Sequence, residues 1–239
     1  MFHAFYRDSV HEKMDEFKRY VEFSQNLLAE NLKKNKSENI KRIREIDDDF
    51  YREKFQELFW ESESEEEFVF SSIHWSSVFI AQYSYVEHIL DKVCSYYAAQ
   101  TESPLTHKDM TGSGIERAKS YISKYMGISA PFGKSEWGKI KSYAKIRNKV
   151  IHSGVELDQR SKIDLDVIRL INKSSNLSLA RYTNEVPVDP WDEENTETQS
   201  YLEEPRVDIT PQFVIEVVDT YDKFFDSLFD ELEKLSLPE

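Results

Sequence analysis

The chain of 239 residues holds a single cysteine, Cys94. One thiol closes no internal disulfide and builds no cysteine-based zinc site, so nothing in the sequence asks for an oxidising compartment. Glycine and proline are scarce, at 6 and 7 residues, which argues against a many-turned β fold. No stretch approaches the roughly 18 consecutive apolar residues of a membrane-crossing helix. The opening Met1-Phe2-His3-Ala4-Phe5-Tyr6-Arg7-Asp8 lacks the basic-then-apolar order of a secretory signal. The expectation is a soluble, cytoplasmic protein with no membrane partner.

What is abundant is charge, at 32%, and aromatic side chains, at 13%. Together they favour long solvated helices around a bulky core. The formal net charge is −14, which by itself argues against a polyanionic partner. The charge is uneven, however. Leu105 to His152 holds ten Lys and Arg against Asp109, Glu116 and Glu136, a local +7 that leaves −21 for the remainder. A polyanion is attracted to that segment and repelled elsewhere. The competing reading is a lysine-rich helix face that is simply solvated.

Hydrophobic spacing predicts an all-α chain. Val10, Met14, Phe17, Val21, Ser24 and Leu28 make one stripe of a helix from about Ala4 to Leu32. The polar run Asn31 to Asn39 reads as a turn. A second helix over about Glu38 to Trp60 carries Ile43, Ile46, Phe50, Phe55, Leu58 and Phe59. The pair is expected to pack as an αα-hairpin on the main core, with a coiled coil to another chain as the alternative. Glu61 to Glu67 reads as a connection or first turn. A long core helix over about Glu66 to Ala99 follows, striped by Phe79, Tyr83, Val86, Leu90, Val93 and Tyr97.

Gln100 to Gly114 reads as a loop, with Ser113 and Glu116 as a capping box for a short helix ending near Met126. Ser135 is expected to cap a helix from Glu136 to about His152, stopped by Gly154. From Leu157 to Arg206 the pattern weakens. Asp166 to Leu170 and Leu177 to Tyr182 read as short strands or helix ends, and the acidic Glu185 to Glu204 as a mobile loop. Thr210-Pro211 opens a last helix. The expected layout is a hairpin extension over 1–62 and a helical domain over 63–239 with an insert at about 157–206.

One stretch carries chemistry: Lys145-Ile146-Arg147-Asn148-Lys149-Val150-Ile151-His152-Ser153-Gly154. Asn148 and His152 are four apart and share a helix face. Arg147 is about 140° from His152 on an ideal helix, and its long side chain can converge on the same ligand. Histidine moves protons near neutral pH, arginine is a fixed charge that fits phosphate oxygens, and asparagine orients either. The alternative is a histidine that merely caps a helix C-terminus.

Other motifs lead nowhere. Gly133-Lys134-Ser135 lacks the spacing and preceding strand of a phosphate loop. Cys94 falls on an apolar stripe. His3, His11, His74 and His88 lack the spacing or carboxylates for a metal site, and Asp47-Asp48-Asp49 lacks the glycine of a calcium loop. No metal or cofactor is expected.

Arg147-Asn148-x-x-x-His152, ending a helix after a lysine-rich turn and followed by a small residue and Gly154, resembles the Arg-x4–6-His motif of the HEPN family (higher eukaryotes and prokaryotes nucleotide-binding domain). Ser77 to Cys94 is similar to the long helix that family places before its motif helix, with Glu87 about where a glutamate often sits. The last helix, opening with Ile209-Thr210-Pro211, is also similar, and the likeness spans roughly Glu66 to Leu235. The resemblance implies an up-and-down helical bundle that commonly dimerises, bringing two motifs to one cleft. It implies a metal-independent endoribonuclease, often a toxin or antiviral defence effector, sometimes held by an antitoxin or activator protein. In that scheme His152 is the general acid or base, Arg147 stabilises charge on phosphate, and Asn148 positions one of them. Glu87 is a further site candidate, with a solvated surface role as its alternative. Lys139, Lys141, Lys145 and Lys149 would contact RNA. Other members are inactive modules that bind nucleotide or a partner protein. Where one toxin branch carries a modified tyrosine two residues after the histidine, this chain has Gly154, so that control is not inferred.

Overall fold

The computed structural model describes residues 2–112, 114–180, 183–187, 198–202 and 205–235, with the backbone alone for 2–5, 60–68, 153, 183–187 and 198–202. The chain is all-α in class. Its helices are α1 (Phe2–Arg44), α2 (Asp49–Gln100), α3 (Gly114–Tyr125), α4 (Ser135–Ser153), α5 (Lys162–Ile171) and α6 (Pro211–Leu232). Short 3-10 turns precede α3 and α4. Among the described residues, no helix is long and apolar enough to cross a membrane.

Helix α6 sits at the centre. It starts as its sequence demands: the Thr210 hydroxyl accepts from the Phe213 amide, and Pro211 occupies the first turn. Its residues Phe213, Val217, Tyr221, Phe224 and Leu228 are buried and meet α1, α2 and α4. Rings from α4 close on it, Trp137 at 5.4 Å from Phe224 and Tyr143 at 5.5 Å from Phe213. Its polar edge is acidic and faces a basic edge of α1 running antiparallel. Arg7 binds Asp230 and Glu233, His11 lies 2.6 Å from Asp222 and 3.0 Å from Asp226, and Lys18 lies 2.8 Å from Asp219.

The first half of α1 therefore belongs to the main core, with Val10, Met14 and Val21 buried in it. The expected turn at Asn31 to Asn39 is absent: α1 runs through it. That run is polar because water surrounds it, and without glycine or proline nothing breaks the helix. The chain turns instead at 45–48, where the Asp48 carboxylate caps α2 by accepting from the Phe50 and Tyr51 amides. Helix α2 is then continuous through Glu61 to Glu67, where a connection or the first turn of a new helix was expected. The second stripe does not pack on the core as expected. Ile43 and Phe59 are buried between the helices, but Phe50, Phe55 and Leu58 are exposed. The far half of α1 and the near half of α2 form an antiparallel arm.

Asp166 to Leu170, read as a short strand or a helix end, is the second half of α5; Ser161 accepts from the Asp164 amide and starts that helix. A further expectation is corrected. The segment read as an acidic loop contains a pairing: β2 (Thr183–Pro187) runs antiparallel to β3 (Thr198–Leu202), the extended backbone being held by ladder hydrogen bonds. The residues between, 188–197, lie outside the described residues, as does the Ser113 cap. Leu177 to Tyr182 contains β1 (Leu177–Ala180), which pairs antiparallel with β4 (Arg206–Ile209). Helix α4 begins at Ser135 itself, one residue before the expected start, and Gly154 ends it at φ +70°.

One polar contact ties the C-terminal part of α4 to α5. The Lys149 ammonium donates to Asp164 at 2.8 Å, with side chains only 8% and 7% exposed. The same Asp164 oxygen accepts from the Asp158 amide at 2.8 Å. Removing one partner strands a buried charge, which costs about 3–5 kcal/mol. Asp164→Ala is therefore expected to lower the thermal midpoint by many degrees, whereas Asp166→Ala, on the exposed side of α5, changes it little. Equal midpoints for the two variants in a melting experiment would refute the clamp.

Candidate functional site

Tyr143 and Ile146 of α4 are buried against the core, so Arg147 and Asn148 emerge at the margin of that face. One turn on, His152 is exposed. The three line one open cleft of about 480 Å³ with Glu87, Lys141 and Lys145. The cleft floor includes Tyr83, and the N-terminal turn of α3 adds Gly114 and Glu116.

Arg147 is held on three sides. Its Nη1 donates to the Asn148 side-chain oxygen at 3.0 Å. Its Nη2 lies 3.7 Å from the Glu87 carboxylate. The guanidinium carbon stands 5.4 Å from the centre of the Tyr83 ring, within range of a cation–π attraction. Tyr83 and Glu87 are four apart on α2 and so present one platform. Burial and the Glu87 carboxylate push the Tyr83 phenol well above its ordinary value, keeping it neutral under the arginine. Burial also raises the Glu87 carboxyl above the ordinary carboxylate range; Arg147 opposes the rise and Asp91 adds to it.

Gly114 makes room for that carboxylate. A Cβ there would collide with a Glu87 oxygen, and its φ of +50° disfavours any side chain. No described residue hydrogen-bonds His152, and the C-cap position is taken by Gly154. The histidine is thus not a buried cap. It also borders a second groove, of about 680 Å³, on the α5 side, with Asn148, Lys145 and Ser161. His152 and Asn148 stand on the ridge between the two.

The expected cations divide. Lys141 and Lys145 are exposed at the cleft. Lys149 is not: its ammonium is buried against Asp164, so it is a structural clamp and not an open RNA contact. Lys139 reaches Glu216 at 3.1 Å, where Asn176 and Tyr143 also donate, in a different groove that touches α6. Sequence reasoning missed Tyr83 and Gly114. The i, i+4 spacing of Tyr83 and Glu87 was the available signal; Gly114 had none.

The chain matches no family model, no curated protein and no solved structure, so its resemblance to a family rests on the residues quoted above.

In the unfolded chain Glu87 ionises at its ordinary value, while in the fold it keeps its proton to higher pH. The folded chain therefore binds more protons across that window, and stability falls as pH rises through it. Glu87→Gln removes this loss. The variant is expected to melt at or above the parent temperature at pH 7 and level with it below about pH 4. A lower midpoint at pH 7 would mean that the attraction to Arg147 outweighs burial.

Proposed function

We propose that this chain is a metal-independent endoribonuclease of HEPN type, built as an up-and-down helical bundle. The observation that carries the reading is the shared cleft: an exposed His152 beside Asn148 and a pre-positioned Arg147, with Lys141 and Lys145 at its rim. In the reaction the ribose 2′-oxygen attacks the adjacent phosphorus and the bond from phosphorus to the 5′-oxygen breaks. The products are a 2′,3′-cyclic phosphate and a 5′-hydroxyl, with no net gain or loss of protons. His152 takes the 2′-hydroxyl proton or supplies one to the leaving oxygen. Arg147 neutralises charge growing on the phosphate, and its seat on Tyr83 limits the motion it must lose on binding. Asn148 holds the guanidinium in register. One histidine serves one proton transfer at a time, so a cleft completed by a second copy supplies both. A toxin or antiviral role, in the cytoplasm and under an antitoxin or activator, follows from the family resemblance alone.

A second reading is a non-catalytic module that binds a nucleotide or a partner protein. Glu87 and Glu116 favour it, because two carboxylates in the cleft oppose a polyanion.

The two readings separate in one assay. Purified protein is incubated with tRNA and mRNA in EDTA and product ends are analysed. The endoribonuclease yields 2′,3′-cyclic phosphate ends. His152→Ala lowers the rate at least roughly 100-fold and leaves the melting temperature unchanged, since that side chain is exposed. Cleavage that requires a divalent metal would refute the mechanism. Nucleotide binding without cleavage would favour the module.

A further inference from the structure

The groove on the far side of the His152 ridge has a chemistry unlike that of the cleft. One wall is the face of α4 that carries Asn148 and His152, the other is the start of α5 with Ile163 and Asp166, and Asp158 of the intervening turn closes one end. Its volume of about 680 Å³ lies within the roughly 300–1,000 Å³ of small-molecule sites. The walls are fixed relative to each other, because the buried Lys149–Asp164 pair joins α4 to α5 beneath them. That pair cancels its own charge and leaves Asp158 and Asp166 as the acceptors of the groove. Asp158 Oδ1 accepts from the Arg160 amide at 2.8 Å, and Asp166 Oδ1 from the Arg169 guanidinium at 2.9 Å. The Oδ2 atom of each has no hydrogen-bond partner among the described residues. Beside them Ile163 is 74% exposed, more than any other large apolar residue among those described.

These features select the occupant. A phosphate is repelled by the two carboxylates, whereas Arg147 and Lys141 attract it on the cleft side of the ridge. Among the described residues no three carboxylate, histidine or cysteine side chains could hold a metal ion. A nucleobase fits: it has apolar faces, which lie against side chains such as Ile163, and N–H groups along its edge, which carboxylate oxygens accept. Guanine sets a ring N–H and an amino group side by side, a pair that one carboxylate can accept together. Adenine and cytosine offer one amino group next to a ring acceptor. Uracil flanks its single N–H with two carbonyl oxygens, which a carboxylate repels.

We propose that this groove is a base-selecting subsite, which holds the base of the nucleotide at the scissile phosphate and favours guanine over adenine and cytosine, with uracil last. The unshared oxygens of Asp158 and Asp166 accept from the base edge, and Ile163 lies against its face. The proposal rests on the ribonuclease reading for the place of the phosphate beside His152. The groove itself is built from one chain and needs no second copy.

Calorimetric titration of the full chain with the four 2′-deoxynucleoside 3′-monophosphates tests it, since these lack the attacking hydroxyl and survive the measurement. The guanine nucleotide is expected to bind at least roughly 10-fold more tightly than the uracil one. Asp158→Asn with Asp166→Asn abolishes that preference, and Ile163→Ser weakens all four nucleotides alike. Neither variant changes the melting temperature appreciably, because the altered side chains are largely in solvent. No binding of any of the four at ~5 mM, or a preference that the Asp substitutions leave untouched, would overturn the assignment. The cleavage assay in EDTA, run beside the titration on RNA of defined sequence, keeps the two readings apart. Cleavage at equal rates beside all four bases, with no preference among the deoxynucleotides, overturns the subsite and leaves the ribonuclease standing. A guanine preference in binding without any cleavage supports the subsite and removes the ribonuclease.

Discussion

The structure depends on taking α6 out of water. Its apolar residues occupy so much of its circumference that one neighbour cannot cover them. Helices α1, α2 and α4 are arranged by that requirement. The acidic edge of α6 lies along the basic edge of α1, where Asp219, Asp222, Asp226 and Asp230 meet Lys18, His11 and Arg7 as the two helices run antiparallel. Each exposed pair contributes little. Their common sign selects which face of α1 lies along α6, since an acidic face there would be repelled.

The candidate site follows from how α4 meets this core. Trp137, Ile140, Tyr143 and Ile146 face inward, which leaves the next residues at the margin and the last turn of the helix in solvent. Two polar contacts fix that turn from opposite sides. Lys149 ties it to α5 through Asp164, and Arg147 rests on Tyr83 and Glu87 of α2. His152 is left free between two grooves. The positive charge of residues 105–152 is thereby reduced where it counts: Lys139 and Lys149 are neutralised by Glu216 and Asp164, and Lys119 stands 3.9 Å from Glu116. A tally of charges along the chain overstates the field at the cleft, because ion pairs form across elements distant in sequence.

Much of the fold was legible for local reasons. Thr210-Pro211 and Gly154 mark helix ends because their effect is confined to their own turn. The stripes of α2 and α6 were readable because each helix buries a broad face. Errors arose where composition stood in for geometry. Asn31 to Asn39 looked like a turn and is helix, because a helix in open water is as polar as a loop. Ser161 started α5 unnoticed, since a short helix offers too few periods to display a stripe. The site was legible in part: the sequence pattern singled out Arg147, Asn148 and His152, the family resemblance alone added Glu87, and these four line one cleft.

The sequence by itself determined the helical class, the helix ends that carry their own caps, and the run Arg147, Asn148 and His152 that lines the candidate cleft, since each of these is written within a few consecutive positions. Only the tertiary structure decided that Lys149 is buried and Lys145 open, that Tyr83 lies beneath Arg147, and that the first half of α1 joins the core while its second half leaves it. Those outcomes depend on which surfaces meet. Neighbours brought from more than fifty positions away, as Tyr83 and Arg147 are, have no signature in either local stretch.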